Sequence, residues 1–160
     1  FIMDTLKYFL FLMISSNCLA QVDLVRVDKS ERRMELLEKG VVIKHYKIAL
    51  GDAPIGHKQQ EGDERTPEGR YILDYRNPNS RYFKSLHVSY PNQLDKAFAK
   101  AHSFDAGGMI MIHGQRDGFG WASAITQRID WTNGCMALNN KDMQEVWDLV
   151  KTGTPIEILP

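Results

Sequence analysis

The chain has 160 residues, 43% of them hydrophobic and 25% charged, which is typical of one globular domain with a real core. Its 20 basic and 20 acidic residues give a formal net charge of zero. This balance gives no sign of a partner that is a nucleic acid or an acidic membrane, since proteins that bind either carry a basic excess.

The first predicted element is a secretory signal peptide over residues 1–20. One lysine precedes an apolar run over residues 8–14, and small and polar residues follow up to Ala20, as in such peptides. The run is shorter than the roughly 20 residues that a membrane anchor needs. We therefore expect cleavage and an exported protein of the periplasm or cell envelope. Lipidation at Cys18 and a buried N-terminal helix are the alternatives.

The remaining residues, 21–160, are predicted to form one domain made mostly of short strands. Alternating apolar residues indicate strands in VDLVRV and on both sides of a turn at Lys39–Gly40. Later strands are predicted in RYILDYR, SLHVSY and PIEIL. Residues 51–70 form a long polar connection rich in glycine and proline, and loops of this length are usually functional or disordered.

Two segments have the apolar spacing of amphipathic helices. NQLDKAFAKAH follows Asn92 as a plausible N-cap, and NNKDMQEVWDLVKTG has Asn139 or Asn140 at its start and Gly153 at its end. Together the elements predict a mainly β fold, a mixed sandwich or flattened barrel with two short helices.

Cys135 is the one cysteine that remains once a signal peptide is removed. Exported proteins usually pair their cysteines, so a single one is either kept for its chemistry or is an inert buried side chain. The apolar run GGMIMIHG predicts a buried strand that holds His113 rigidly at its end, 22 positions before Cys135.

An imidazole near this thiol would supply the chemistry that the thiol lacks. A free thiol is only a few per cent ionised at neutral pH, and a histidine can take its proton and return it to a leaving amine. Gly134 lets the backbone bend, so that the amides of Gly134 and Cys135 can face one oxyanion. The pattern proposes acyl transfer through a thioester, although five histidines allow such a pairing by chance.

The same residues resemble a known family. IMIHG followed by TNGCMAL resembles the signature of the L,D-transpeptidase catalytic domain, the YkuD-type family: His-Gly, some twenty residues, then Ser/Thr-x-Gly-Cys. GDERTPEGRYIL resembles its Thr-Pro-x-Gly segment, and NPNSRYFKSLHVSYPN resembles the exported murein-processing subgroup. The resemblance covers about Val22 to Pro160 and implies a mixed β-sandwich with short helices.

This resemblance implies attack by Cys135 on a peptidoglycan stem peptide, at the L-centre of diaminopimelate. His113 would protonate the leaving D-alanine, and Gly114 would orient His113 through its carbonyl. The acyl group would pass to a stem amine, a lipoprotein lysine, a free D-amino acid or water. A catalytically silent wall-binding domain is the alternative from another class. No cofactor or metal is implied, and a monomer is expected.

One position departs from the family pattern. Many members carry an arginine two residues after the cysteine, where this chain has Ala137. The change leaves the acyl acceptor open and fits a divergent subgroup, some of whose members are hydrolases that undo cross-links or release attached lipoprotein.

Five more side chains are predicted to contact the substrate, each with a plainer structural alternative. The alternatives are a satisfied strand histidine, a core aromatic and a solvated loop charge. The five are His87, Ser89, Thr132, Trp121 and Arg116.

Overall fold

The computed structural model describes residues 21–160, so the predicted signal peptide and Cys18 lie outside the described residues. The described chain forms an eight-stranded sheet in the order β3-β2-β1-β8-β4-β5-β6-β7, with three short α-helices. None of the helices within residues 21–160 is long and apolar enough to cross a membrane. The strands are β1 Leu24–Asp28, β2 Arg33–Glu38, β3 Val41–Lys47, β4 Gly69–Asn77, β5 Ser85–Val88, β6 Met111–His113, β7 Met136–Ala137 and β8 Pro155–Leu159; the helices are α1 Gln93–Ala101, α2 Ser123–Thr126 and α3 Asn140–Leu149.

The first three strands form an antiparallel meander whose turn was predicted. Lys39 and Gly40 both have positive φ, 51° and 79°, which matches a two-residue hairpin turn with the strands' own twist. The last strand then inserts beside the first. β8 runs parallel to β1 and antiparallel to β4, so the C-terminal segment joins the two halves of the sheet.

The sheet curls until its two ends approach one another. Ala49, just after β3, pairs with Ala137 in β7, and Gly51 pairs with Thr132. These two bridges connect the chain that follows β3, at one edge of the sheet, to β7 and the residues just before it at the opposite edge. The predicted mainly β fold of flattened-barrel type, with few short helices, is confirmed. Its core is formed by apolar residues of the sheet's inner face and of α3, including Leu36, Ile112 and Met143, all 0% exposed.

Both predicted helices are present. α1 begins after Asn92, whose side chain accepts from the Asp95 amide while the Asp95 carboxylate accepts from the Asn92 amide, a capping box. α3 begins after Asn139 as N-cap. It ends at Leu149, before Gly153, because Val150 already has an extended backbone.

Two local predictions were incomplete. The run GGMIMIHG was predicted to be buried throughout, but strand β6 covers only its last part, Met111–His113. Met109 instead has a left-handed backbone (φ 56°) and a side chain 65% exposed. A short helical segment, a 3-10 turn at Gly120–Ala122 followed by α2, lies where only a loop was predicted; its side chains are largely exposed and show no one-sided apolar pattern.

Candidate active site

Cys135 and His113 line the same open groove, which has a volume of about 640 Å³. Their proximity follows from strand pairing. β6 and β7 are parallel neighbours, with Ile112 opposite Met136 and His113 opposite Ala137. Cys135 directly precedes β7 and therefore lies beside Met111, two residues from the histidine. Two residues that are 22 positions apart in sequence thus share one edge of the sheet.

The orientation of the His113 ring defines its tautomer. Nδ1 lies 2.7 Å from the carbonyl oxygen of Gly114, and since a carbonyl only accepts, Nδ1 must carry the proton. Nε2 is then left with a free lone pair. Burial lowers the pKa of His113, and the hydrogen bond to Gly114 opposes this only in part. The imidazole is therefore neutral at pH 7 and able to accept a proton.

Gly114 has a steric reason to be glycine. A Cβ at this position would lie 2.7 Å from Oδ1 of Asn140 and 3.1 Å from the carbonyl oxygen of Tyr82. The Gly114 amide also donates to that same carbonyl at 3.0 Å. The chain after β6 is thus held against the segment that leads into β5, and this contact fixes the carbonyl that orients His113.

Two aromatic rings enclose the imidazole. The ring of Tyr82 lies 4.6 Å from that of His113, and the ring of Trp131 lies 5.9 Å from it in an edge arrangement. Aromatic faces attract cations, so these rings would favour the imidazolium that forms when His113 takes a proton. Tyr82 was not predicted, because a tyrosine in a loop has no distinguishing spacing.

Cys135 is a neutral thiol in this structure. Its sulfur donates to the carbonyl oxygen of Met109 at 3.6 Å and accepts from the amide of Met111 at 3.4 Å. Burial raises the pKa of the thiol, opposed in part by the Met111 amide and by the charge of Lys58. No hydrogen bond joins the sulfur to His113 within the described chain; rotation about Cα–Cβ is the motion that would redirect the thiol.

The loop around the thiol is held by a buried threonine. Thr132, 5% exposed, donates its hydroxyl to the carbonyl oxygen of Cys135 at 2.7 Å and accepts from the Gly134 amide at 3.2 Å. The Gly134 amide is therefore occupied. The Cys135 amide has no acceptor among residues 21–160. Of the two oxyanion donors that the sequence predicted, one is free in this conformation.

The polar connection over residues 51–68, which ends where β4 begins, packs against this loop. Gly134 has a φ of 116°, and a Cβ there would lie 2.5 Å from the carbonyl oxygen of Arg65. A Cβ at Gly51 would lie 1.9 Å from the carbonyl oxygen of Glu64 and 2.9 Å from Cα of Gly134. Only glycine at both positions allows three backbone segments to meet this closely.

Three of the predicted substrate contacts lie outside the lining of the groove. His87 binds the carboxylate of Asp74 through Nδ1 at 2.6 Å and stacks on Tyr75. The hydroxyl of Ser89 accepts from the Ile72 amide, a contact between β4 and the residue after β5. Trp121 is 77% exposed and donates its indole N–H to the carbonyl of Gly118.

Two of the predicted contacts, Thr132 and Arg116, do line the groove. Another part of the lining comes from a segment that sequence reasoning did not assign to the site, namely Asn79 to Tyr82 just before β5. The sequence feature that pointed to this segment was the resemblance of NPNSRYFKSLHVSYPN to the exported murein-processing subgroup. Met109 and Met111 complete the wall beside the sulfur.

Comparisons with known proteins agree with this geometry. The family model described as YkuD, L,D-transpeptidase catalytic domain, matches residues 23–158. The chain is 30% identical over 132 residues to "Putative L,D-transpeptidase YafK" of Escherichia coli strain K12. This match covers 79% of the chain but 46% of YafK, so the chain spans under half the length of that curated relative.

Solved structures give the same result. The helical cell shape determining protein Pgp2 from Campylobacter jejuni superposes with a TM-score of 0.64 at 28% identity, over 86% of this chain and 47% of that one. Bd1075 of Bdellovibrio bacteriovorus gives 0.61 at 26%, over 87% and 48%. An L,D-transpeptidase from Xylanimonas cellulosilytica gives 0.57 at 15%, over 87% and 61%, and supports the fold alone.

Proposed function

We propose that this chain is an exported cysteine acyltransferase acting on peptidoglycan stem peptides. The chain belongs to the L,D-transpeptidase catalytic-domain (YkuD) family. The observation that carries the proposal is the shared groove. It holds a thiol and a neutral imidazole whose Nδ1 proton is fixed on the Gly114 carbonyl, leaving Nε2 as the base.

The first half of the reaction forms a thioester. Nε2 of His113 takes the thiol proton as the sulfur of Cys135 attacks the carbonyl carbon of the stem's scissile amide. The amide of Cys135 stabilises the oxyanion that forms. When the tetrahedral intermediate collapses, the C–N bond breaks and the leaving amine receives the proton from His113. The raised pKa of Cys135 and the lowered pKa of His113 favour this concerted order over a preformed ion pair.

The second half transfers the acyl group from Cys135 to an acceptor. The acceptor amine, or water, loses its proton to Nε2, attacks the thioester carbonyl and releases the thiol. A stem amine gives a cross-link, a free D-amino acid gives exchange, and a lipoprotein lysine gives attachment. His113 serves each of these acceptors in the same way, so the acceptor depends on the rest of the groove.

Hydrolysis is the second candidate, favoured by Ala137. This residue stands where many family members carry an arginine, and it is 0% exposed and outside the groove lining. The groove therefore has no cation at that position to hold a second, charged stem peptide. With water as acceptor the same chemistry gives an L,D-carboxypeptidase or endopeptidase, or the release of wall-attached lipoprotein. A silent wall-binding domain is disfavoured because binding requires no nucleophile or base.

The test combines labelling with product analysis. In separate reactions, purified protein is incubated with a carbapenem or with muropeptides, and the products of each are identified by mass spectrometry. We expect a covalent adduct on Cys135 and loss of all turnover in Cys135→Ala, with Ser89→Ala as a control outside the groove. New 3–3 cross-links or exchanged terminal residues would indicate an amine acceptor, and shortened stems alone would indicate hydrolysis. Turnover that survives in Cys135→Ala would refute the proposal.

Export is a separate part of the proposal. It is supported by the charged, apolar and small-residue layout of residues 1–20. Cell fractionation of the chain with and without residues 1–20 tests it: the shortened chain is expected to remain in the cytoplasm. Equal amounts outside the cytoplasm would contradict it.

A further inference from the structure

The groove has a charge that the chain as a whole lacks. The chain balances 20 basic against 20 acidic residues. The residues lining the groove include two arginines, Arg81 and Arg116, and no aspartate or glutamate. A cleft with charges of one sign and apolar walls attracts ligands of the opposite sign. The groove is therefore suited to an anionic group beside the thiol.

The two arginines are held side by side by contacts between their loops. The amide of Asp117 donates to the carbonyl oxygen of Arg81 at 2.8 Å, so the backbones of Arg81 and Arg116 are adjacent. The nearby carboxylate of Asp117 accepts from the amide of Phe83 at 3.3 Å. It forms no ion pair with either guanidinium.

Neither groove arginine has a carboxylate partner within residues 21–160. Other arginines of the chain do: Arg32 binds Asp130 at 2.8 Å and Arg70 binds Glu157 at 2.9 Å. The ring of Phe119 lies 5.9 Å from the guanidinium carbon of Arg116. Two arginines on adjacent backbones that line one groove and have no carboxylate partner among the described residues point to a counter-charge supplied by the substrate.

We infer that Arg81 and Arg116 form a carboxylate-binding subsite in the wall of the groove. The inference rests on the proposed function. A guanidinium binds a carboxylate with two parallel hydrogen bonds, and stem peptides offer such groups on both sides of the scissile bond. One is the terminal carboxylate of the leaving residue, and the other is the carboxylate at the D-centre of diaminopimelate. The subsite selects stems in which that carboxylate is free.

The test uses three synthetic stem tetrapeptides: the unmodified peptide, its C-terminal carboxamide and its diaminopimelate D-centre carboxamide. kcat/KM is measured for each with the wild-type protein, R81Q, R116Q and the double variant. R128Q is the matched control, since it lies on the same segment between His113 and Cys135 but outside the groove lining. Thermal melting of each variant reports whether the fold is intact.

We expect the wild type to prefer the unmodified peptide over one carboxamide by about 10- to 100-fold, the range of a charge-assisted hydrogen bond. The preference should disappear in the double variant and persist in R128Q. The carboxamide that causes the loss identifies which of the two carboxylates is bound.

A preference that persists in the double variant would overturn the inference, as would equal rates of the wild type on all three peptides. A double variant that loses rate equally on all three would also overturn it, because a general defect is not carboxylate selection. A wild-type protein that converts none of the peptides overturns the proposed function and, with it, this inference.

Discussion

Gly134→Ala tests whether the loop that carries Cys135, residues 132–135, depends on its contact with the polar connection that contains Arg65. Gly134 has a φ of 116°, and the added Cβ would lie 2.5 Å from the backbone carbonyl oxygen of Arg65. The strained φ costs about 1–3 kcal/mol for a residue with a side chain. Overpacking against a backbone atom that cannot rotate away costs about 1–3 kcal/mol more. We therefore expect a loss of roughly 2–6 kcal/mol, a large part of the about 5–15 kcal/mol of a typical domain.

Gly153→Ala separates the two contributions. Gly153 also has a positive φ, 93°, but a Cβ there meets nothing within 4 Å. This control should show the backbone cost alone. The free energies of unfolding of both variants are measured by urea denaturation, and their difference gives the cost of the contact with Arg65.

The same experiment can refute the reasoning. If both variants lose stability equally, the carbonyl of Arg65 does not press on the loop that carries Cys135, and the described support for this loop is wrong. If Gly134→Ala loses more, its remaining folded fraction should also show a changed rate of Cys135 alkylation, because relief of the clash must move one of the two backbones.

Three further predictions concern the buried ionisable groups. Burial raises the pKa of the Cys135 thiol, so Cys135 should react with iodoacetamide more slowly at pH 7 than a free cysteine, of which about 3% is ionised at that pH. The alkylation rate of Cys135 should increase beyond pH 9. His113→Gln should leave this profile in place; an inflection below pH 7 that His113→Gln removes would instead reveal a thiolate–imidazolium pair. Lys29→Met should lower the free energy of unfolding by about 2–3 kcal/mol, because buried Lys29 binds Glu68 at 2.7 Å and two backbone carbonyls. The control Lys44→Met removes an exposed ion pair and should cost under about 1 kcal/mol. Equal losses in the two variants would contradict the argument. Burial alone would raise the pKa of Asp63, but hydrogen bonds from the Gln59 amide and the Lys58 ammonium outweigh burial and lower this pKa. The ionised Asp63 therefore stabilises the fold at pH values above the ordinary carboxyl pKa. This stabilisation should be lost as the pH falls through the lowered pKa of Asp63. Asp63→Asn should therefore flatten the acid limb of a urea titration, and an unchanged limb would count against the role of Asp63.

The fold was largely predictable because its signals are local. The hairpin turn at Lys39–Gly40 and the helix caps at Asn92 and Asn139 act through backbone conformations and hydrogen bonds within a few residues. The resemblance to the YkuD family is confirmed by the family match. The segment containing α2 was missed because exposed Trp121 and Ile125 break the one-sided apolar pattern that predicts helices.

The groove was only partly predictable because it depends on pairings distant in sequence. His113 and Cys135 could be named from chemistry and motif. Arg81 and Tyr82 could not, since they reach the groove through the packing of the chain before β5 against the chain after β6. The same limit applies to Met109, whose left-handed backbone takes it out of the predicted buried strand and into the wall beside the sulfur.

The long connection over residues 51–68 shows how a segment without regular secondary structure can hold the loop that carries Cys135 in place. Lys29 binds the carbonyls of Gly56 and Thr66 from the end of β1. The carboxylate of Asp63 accepts hydrogen bonds from the amides of Gln59, Gln60 and Arg65. Buried charges here take the place of the strand pairing that fixes backbones elsewhere. Because the carbonyl of Arg65 lies directly against Gly134, this connection supports the loop that carries Cys135 through a backbone contact.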